Sequence, residues 1–319
     1  MTDTKKCANK RISIIVPIFN EELIVREFYS EAIKNLKDIA YDYEIIFVND
    51  GSRDSSLELL KELHDQDEKV KIVNFSRNFG HQIAISAGIR YATGDAAIIM
   101  DADLQDPPAV IIDLLKKWEE GFDVVYAVRK KRLGESLFKL WTASIFYRII
   151  KRLTKVDIPL DTGDFRLMDR KVYEELSRIN ERNPFVRGLV SWVGFKQTGV
   201  YYERQERFAG QTHYPLRKML KFALDGITSF SFIPLQLATY LGFFVSFMSF
   251  IGIIVFLCLK IFTSVVVPGM AAIIISILFI GGVQLITLGI MGEYLGRIFD
   301  EVKQRPLYIV KRTWGVEEK

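Results

Sequence analysis

Apolar runs alternate with mixed polar stretches over the first hundred positions, and the rhythm is regular. "RISIIVPIFN" (Arg11–Asn20) is a β-branched run closed by Pro17 and Asn20, which predicts a buried strand opening into a loop. "EELIVREFYSEAIKNL" places Leu23, Phe28, Ile33 and Leu36 at helical spacing, with acids in the first turn. "YEIIFVNDGSRD" is a second strand broken by a turn, and "SSLELLKELHDQ" is a second helix. "VKIVNFSRN", "HQIAISAGIRYA" and "DAAIIM" continue as strand, helix and strand. Strand and helix in this alternation predict an α/β fold with a parallel sheet and crossover helices. In such sheets ligands bind at the carboxyl ends of the strands. The clusters around Asn20, Asp50 and Asp101 fall there.

After Gly121 the pattern loosens. "FDVVYAVRKKR" predicts a strand ending in a basic cluster, and "LFKLWTASIFYRIIKRL" an amphipathic helix with Lys and Arg on its polar side. "DIPLDTGDFRLMDR" (Asp157–Arg170) reads as an aspartate-rich loop, "KVYEEL" as the start of a helix, and Pro184–Tyr214 as short strands mixed with glycines.

The tail has another pattern. Leu235–Leu259 carries no charge, and from Leu235 to Met291 the one charged residue is Lys260. As a helix the first stretch spans about 37 Å, enough for a hydrocarbon core of roughly 30 Å. Val265–Met291 is a second candidate, so the two predict a membrane hairpin. Arg217, Lys218 and Lys221 precede it and Arg297, Lys303 and Arg305 follow it. By the positive-inside rule both ends, and the domain they join, face the cytoplasm at the inner or plasma membrane. Tyr214–Phe232 is amphipathic, with Leu216, Met219, Leu220, Ala223 and Leu224 against the three basic residues. It suits either a helix in the headgroup region or one packed on the soluble domain. Gly289, Gly292 and Gly296, with Gly281 and Gly282, suit close helix packing within or between protomers, or the general tolerance of membrane helices for glycine. The expected divisions are therefore 1–213, a cytoplasmic catalytic domain; 214–232, a juxtamembrane helix; 233–295, the hairpin; and 296–319, a cytoplasmic tail.

Composition narrows the function classes. The 319 residues are 49% hydrophobic and 26% charged, with a net charge of +4, and nothing resembles a nucleic-acid-binding stripe. Cys7 and Cys258 are the only cysteines, and His64, His81 and His213 are scattered, which disfavours both a disulfide framework and a zinc site. "MTDTKKCANK" lacks the apolar core of a signal peptide.

The chemistry concentrates in "AAIIMDADLQDPP". Alternation along an extended chain lets Asp101 and Asp103 point the same way. Two carboxylates at a strand tip suit Mg²⁺ or Mn²⁺, hard ions that complete their shell from water and substrate phosphates, and the carbonyl oxygen of Gln105 is a third donor. Asp106 with Pro107 and Pro108 reads as the start of the next helix, with Asp106 as N-cap. Neither G-x-x-x-x-G-K-[ST] nor a G-x-G-x-x-G after the first strand is present, so metal and basic side chains must hold any phosphate.

"IVPIFNEE", "VNDGSRDSS", "SRNFGHQIAISAGIRYATGD", "IIMDADLQDPP" and "DTGDFRLMDR" together resemble the membrane-attached polyisoprenyl-phosphate glycosyltransferases of glycosyltransferase family 2, over about Arg11 to Arg305. The late two-span hairpin is most similar to the bacterial bactoprenol (undecaprenyl-phosphate) glucosyltransferase type. The resemblance implies a GT-A, Rossmann-like, mostly parallel sheet and a nucleotide-sugar donor. On that pattern Pro17, Phe19 and Glu21 line the nucleotide pocket, Asp50 contacts base or ribose, and Asp101, Asp103 and Gln105 hold the divalent cation. Arg129, with Lys139 and Ser144, matches the family's residues for the acceptor phosphate, although Lys139 and Ser144 equally suit a plain polar helix face. Asp157, Asp161 and Asp164 either orient sugar and nucleophile, which would make Asp157 and Asp161 catalytic beside Asp103, or form a salt bridge with Arg166. Thr212-His213 stands where many relatives carry Ser-Lys, and the Q-x-x-R-W of processive synthases is absent.

The expected reaction is inverting transfer of a hexose to polyisoprenyl phosphate, with UDP-glucose as first choice of donor. Mannose or another sugar, or a non-catalytic membrane scaffold, are the alternatives. Membrane lipid and further copies of the chain, in a homo-oligomer such as a tetramer, are the expected partners, and nucleic acid is not.

Overall fold

The computed structural model describes residues 10–37, 39–130, 162–204, 231–262 and 269–316. These divide into two compact units, one formed by the described residues of 10–204 with 305–316 and the other by 231–304.

The first unit is built on one sheet of eight strands in the order β7-β5-β6-β4-β1-β2-β3-β8. β1 (Arg11–Ile18), β2 (Asp42–Asn49), β3 (Val70–Phe75) and β4 (Ala96–Ile99) pair in parallel. They alternate with α1 (Val25–Leu36), α2 (Ser56–Gln66) and α3 (His81–Tyr91), as the hydrophobic rhythm predicts. β1 and β4 are buried along nearly their whole length, which is why they read as continuous apolar runs. The chain winds outward from β1 through β2 to β3, then crosses back to place β4 on the other side of β1. That reversal is a topological switch point, and the crevice beyond the carboxyl ends of β1 and β4 is where such folds bind ligands.

Beyond α4 (Val110–Glu119), β5 (Val124–Arg129) pairs antiparallel with β6 (Thr162–Asp169), which in turn runs antiparallel to β4. The aspartate-rich segment expected as a loop is thus, from Thr162 onward, an interior strand. Phe165 and Leu167 pack into the core on one face, while Asp164 and Arg166, also buried, occupy the other. Two charged residues at alternate positions imitate a loop in sequence, and their partners lie far away along the chain. α5 (Arg170–Arg178), α6 (Val186–Trp192) and β7 (Gln197–Tyr202) follow, β7 running parallel to β5. α6 replaces part of the strand-and-glycine stretch the sequence suggests.

The residues expected as a tail hold β8 (Val310–Trp314), which closes the β3 edge of the sheet in antiparallel register.

The second unit holds α7 (Ile233–Phe262) and α8 (Met270–Val302). Two segments here, Ile233–Leu259 and Ser276–Val302, are long and apolar enough to cross a membrane. Phe243, Phe244, Phe247 and Phe250 are all exposed, a surface suited to lipid more than to water. The hydroxyl of Tyr294 donates to the carbonyl of Ser231 at 2.7 Å. Among the described residues nothing lies over Gly281, Gly282, Gly289, Gly292 or Gly296, so these glycines are not at a close contact within the hairpin.

Candidate active site

Two loops meet at the carboxyl ends of β1 and β2. Pro17 is buried in β1, Phe19 is 43% exposed, and Asn20 adopts a left-handed φ of 55°. The amide of Asn20 donates to Ser52 Oγ at 3.0 Å, and Asn20 Oδ1 accepts the Arg53 amide at 2.8 Å. The amide of Glu21 donates to Ser56 Oγ at 2.9 Å, and Glu22 exchanges hydrogen bonds with Asp54 and Ser55. This lacing fixes the rim on which Phe19 and Glu21 sit.

Asp50, expected at base or ribose, is 2% exposed. Its two oxygens accept the amides of Phe79 and Gly80 at 2.6 and 2.9 Å, so the carboxylate clamps the loop that enters α3. Burial pushes its pKa above the ordinary carboxylate value, against the pull of those two amides. Gly51 turns the chain beside it at φ 67°, and a Cβ there would stand 2.3 Å from the carbonyl carbon of Arg77, so no other residue fits.

β4 delivers Asp101 and Asp103 to the switch point. Asp103 is 8% exposed and its Oδ1 accepts the Gln105 amide at 3.1 Å, making a tight turn over Leu104 at φ 55°. A left-handed leucine costs on the order of 1–2 kcal/mol, strain of the kind that collects at functional sites. About a third of the Asp101 side chain (32%) is exposed, yet its Oδ1 is sealed from solvent and has no hydrogen-bond partner. The accessible part of this carboxylate is therefore on its Oδ2 side. Burial pushes the Asp101 pKa up to about 6; His81 opposes the rise, and Asp164, Asp103 and Asp106 add like-charge repulsion.

Asp106 is not a helix cap. Its side chain turns inward, 1% exposed, and Oδ1 accepts the Tyr202 hydroxyl. Arg204 Nε lies 3.7 Å from Oδ1 and Arg129 Nη2 3.8 Å from Oδ2. α4 starts at Val110 after two turns on Pro107 and Pro108, and Ala109 at its N-cap position makes no side-chain bond. The demand of two arginines and a buried tyrosine outweighs the local capping preference. Arg129 also donates from Nε to Tyr202 Oη at 3.2 Å, and its guanidinium crosses above Gly163, where a Cβ would be 2.8 Å from Nη2.

Behind Asp101 stands a second set of charges. Asp164 is 5% exposed and accepts Arg187 in a fork, Nε to Oδ1 at 2.8 Å and Nη2 to Oδ2 at 3.1 Å. Gln82 Nε2 donates to Asp164 Oδ2 at 3.1 Å, while Gln82 Oε1 accepts the Val186 amide. Burial raises the Asp164 pKa, but Arg187 and His81 overcome it and hold the group well below the ordinary value. His81 Nε2 lies 3.4 Å from Asp101 Oδ1 and 3.4 Å from Asp164 Oδ2. Burial lowers the His81 pKa, but the two aspartates more than reverse that, leaving it raised. Arg166, read as the alternative partner of these aspartates, instead donates to the Gly163 carbonyl at 2.9 Å, and burial depresses its pKa to about 10.

Sequence reasoning missed His81, Gln82, Arg187, Tyr202 and Arg204. His81 and Gln82 lie inside a quoted motif, but the Asp164 they share is more than eighty residues away. Asp157, Asp161, Lys139 and Ser144 fall outside the described residues. Among the described residues no three His, Cys, Asp or Glu side chains form a preformed metal cage. Asp101 and Asp103 supply two carboxylates to a cation, and the rest of its shell must come from a ligand.

A mostly parallel sheet with paired carboxylates at the switch point defines a transferase of the GT-A architecture. The chain belongs to glycosyl transferase family 2, whose model matches residues 13–177. It is 55% identical over 307 residues to the uncharacterized glycosyltransferase YkcC of Bacillus subtilis (strain 168), covering 96% of this chain and 95% of that one. It is 43% identical over 305 residues to the bactoprenol glucosyl transferase of Shigella phage SfII, covering 95% and 98%. Among solved structures, glucosyl-3-phosphoglycerate synthase from Mycobacterium tuberculosis with Mn²⁺, UDP-glucose and phosphoglyceric acid aligns at 17% identity. That alignment has a TM-score of 0.47 and covers 69% of this chain and 78% of that one.

Proposed function

We propose that this glycosyltransferase moves a hexose from a nucleotide sugar to a polyisoprenyl phosphate at the cytoplasmic face of the membrane, with UDP-glucose and undecaprenyl phosphate as the pair. The observation that carries the reading is the placement of Asp101 and Asp103 at the carboxyl end of β4, beside the switch point. The end-to-end likeness to a bactoprenol glucosyl transferase supports the acceptor and the sugar.

A lipid monophosphate is largely dianionic at neutral pH, since its second pKa is near 6. It is already a nucleophile, so the site must align its oxygen with the anomeric carbon and stabilise the departing diphosphate. One in-line displacement forms the new C1–O bond as the bond to the diphosphate breaks, inverting the anomeric centre. Asp101 and Asp103, with Gln105, would hold Mg²⁺ or Mn²⁺, which supplies Lewis-acid stabilisation of the leaving group when bound. The open Oδ2 side of Asp101 and the Asp103–Gln105 turn fit that role. Phe19 and Glu21 line the nucleotide side, with Pro17 beneath them. Asp50 acts on the nucleotide through the loop it clamps. Arg129 faces the acceptor phosphate, helped by Lys139 and Ser144, and Asp157 and Asp161 orient sugar and nucleophile.

The path of the chain supports the membrane arrangement. β8 lies in the same sheet as β1 to β7 although α7 and α8 intervene, which supports a pair of crossings that returns the chain to its starting face. Open glycines along α8 leave room for a second copy, consistent with a homo-oligomer, and sizing in detergent tests this. The decisive assay incubates the purified chain with undecaprenyl phosphate and a panel of labelled nucleotide sugars. Label should pass from UDP-glucose to lipid in the presence of Mg²⁺ or Mn²⁺. Absence of transfer from every donor would sink the proposal.

A further inference from the structure

The sugar-transfer reading uses Asp101 but does not explain how it is held. Four carboxylates, Asp101, Asp103, Asp106 and Asp164, gather at neighbouring strand ends, and among the described residues each except Asp101 has a hydrogen-bond donor. Asp106 takes Tyr202, Asp164 takes Arg187 and Gln82, and Asp103 takes the Gln105 amide. Among the described residues, the one basic side chain within ion-pair distance of Asp101 is His81, equidistant from Asp101 Oδ1 and Asp164 Oδ2 at 3.4 Å. His81 has little freedom to leave. It is the first residue of α3, whose entry is clamped by Asp50 through the amides of Phe79 and Gly80. Its neighbour Gln82 ties the same helix to Asp164 and to the start of α6.

We propose that His81 is a positioning residue that orients Asp101, the first carboxylate of the D-x-D pair, and that Asp164, locked by Arg187 and Gln82, fixes His81 in turn. The imidazole draws Oδ1 inward, which leaves Oδ2 on the open side of the carboxylate where a cation and a diphosphate arrive. Without it, no basic side chain among the described residues is paired with Asp101, and the carboxylate turns away from the like-charged Asp164 behind it. The inference rests on the donor-site reading given above, and it concerns the geometry of one ligand, not the identity of the sugar.

The test is Mn²⁺ affinity measured by paramagnetic resonance on the full-length chain in detergent, with UDP present. Loss of a residue that orients a ligand typically weakens metal binding about 10–100-fold, and His81→Ala should fall in that range. His81→Gln keeps an N–H donor at the reach of Nε2 and should recover most of the affinity. Arg187→Met, which frees Asp164, should give an intermediate loss. A merely structural role would lower the unfolding temperature of the alanine and glutamine variants alike without separating their affinities. If His81→Ala does not fold, the glutamine and Arg187 variants decide the matter, and wild-type affinity in both overturns the inference. It is equally overturned by a folded His81→Ala chain that binds Mn²⁺ as the wild type does. Failure of the wild type itself to bind Mn²⁺ and UDP would instead bring down the donor-site reading, and this inference with it.

Discussion

The ring of Tyr308 stacks on the ring of Phe75, with centroids 4.9 Å apart and planes 16° from parallel. Phe75 in turn meets Phe79 edge to face at 5.7 Å, and the amide of Phe79 is held by Asp50. The segment leading into β8 is thereby joined through three rings to the loop that opens α3. Tyr308→Ala removes a stacked pair and part of the cover over a buried phenylalanine, at a cost of about 2 kcal/mol. The expected outcome is a lower unfolding midpoint together with weaker UDP binding, since the loop carrying Phe79 loosens with it. Unchanged UDP affinity in a destabilised variant would show that the rings do not reach the donor site.

Asp106 and Tyr202 offer a second check. The carboxylate is buried and shared among a hydroxyl and two guanidinium groups. Tyr202→Phe leaves one acceptor position unsatisfied, worth about 1–3 kcal/mol. Asp106→Ala leaves Arg129 and Arg204 without their shared counter-charge and should be the more damaging change, a few kcal/mol. Denaturant unfolding of the two variants gives the ranking, and the reverse order would refute the buried-charge account.

The parts of this molecule legible in its sequence are those whose causes are local. β1 to β4 and their helices follow from apolar runs and helical spacing, and the D-x-D stands out because two carboxylates share one turn. β6 did not, because Asp164 and Arg166 are polar residues in an interior strand whose partners include Arg187 and a backbone carbonyl. β8 did not, because a five-residue edge strand with Lys311 and Arg312 in it resembles a solvated tail. Asp106 looked like a cap because prolines follow it, and nothing nearby announces Tyr202, 96 residues on. Separation along the chain also hides His81, whose role depends on one carboxylate just past β4 and another in β6.

Glu44 provides a pH test at the opposite end of the sheet from the site. It is 1% exposed and accepts Ser13 Oγ at 2.5 Å, the Thr93 amide at 2.8 Å and the ammonium of Lys71. Burial alone would raise its pKa, but the bonds from Lys71, Ser13 and Thr93 outweigh that and hold it below the ordinary 4.5. A depressed folded-state pKa means that the ionised group stabilises the fold above its unfolded value, and that this contribution fades as pH falls through the lower folded value. Glu44→Gln should cost about 1–3 kcal/mol at pH 7, with the gap to wild type closing as pH falls below the ordinary 4.5. A constant gap across that range would mean that charge is not what Glu44 contributes.

Asparagine at position 103 separates charge from shape. Asp103 Oδ1 accepts the Gln105 amide, and the carbonyl oxygen of an asparagine can keep that bond, so the turn over Leu104 survives while one negative charge is lost. If Asp103 holds the cation, Asp103→Asn should fold normally and lose on the order of 10²-fold or more in sugar transfer to a polyprenyl phosphate, the scale of several kcal/mol of Lewis-acid stabilisation. Wild-type enzyme in EDTA should fall to a comparable rate and recover on addition of Mn²⁺, whereas the variant in excess Mn²⁺ should recover only in part. Alanine at the same position removes both the charge and the turn, so it should also lower the unfolding temperature, which asparagine should not. A variant that retains most of its activity, or a wild type indifferent to EDTA, would remove Asp103 from the metal site and leave the turn as its whole contribution.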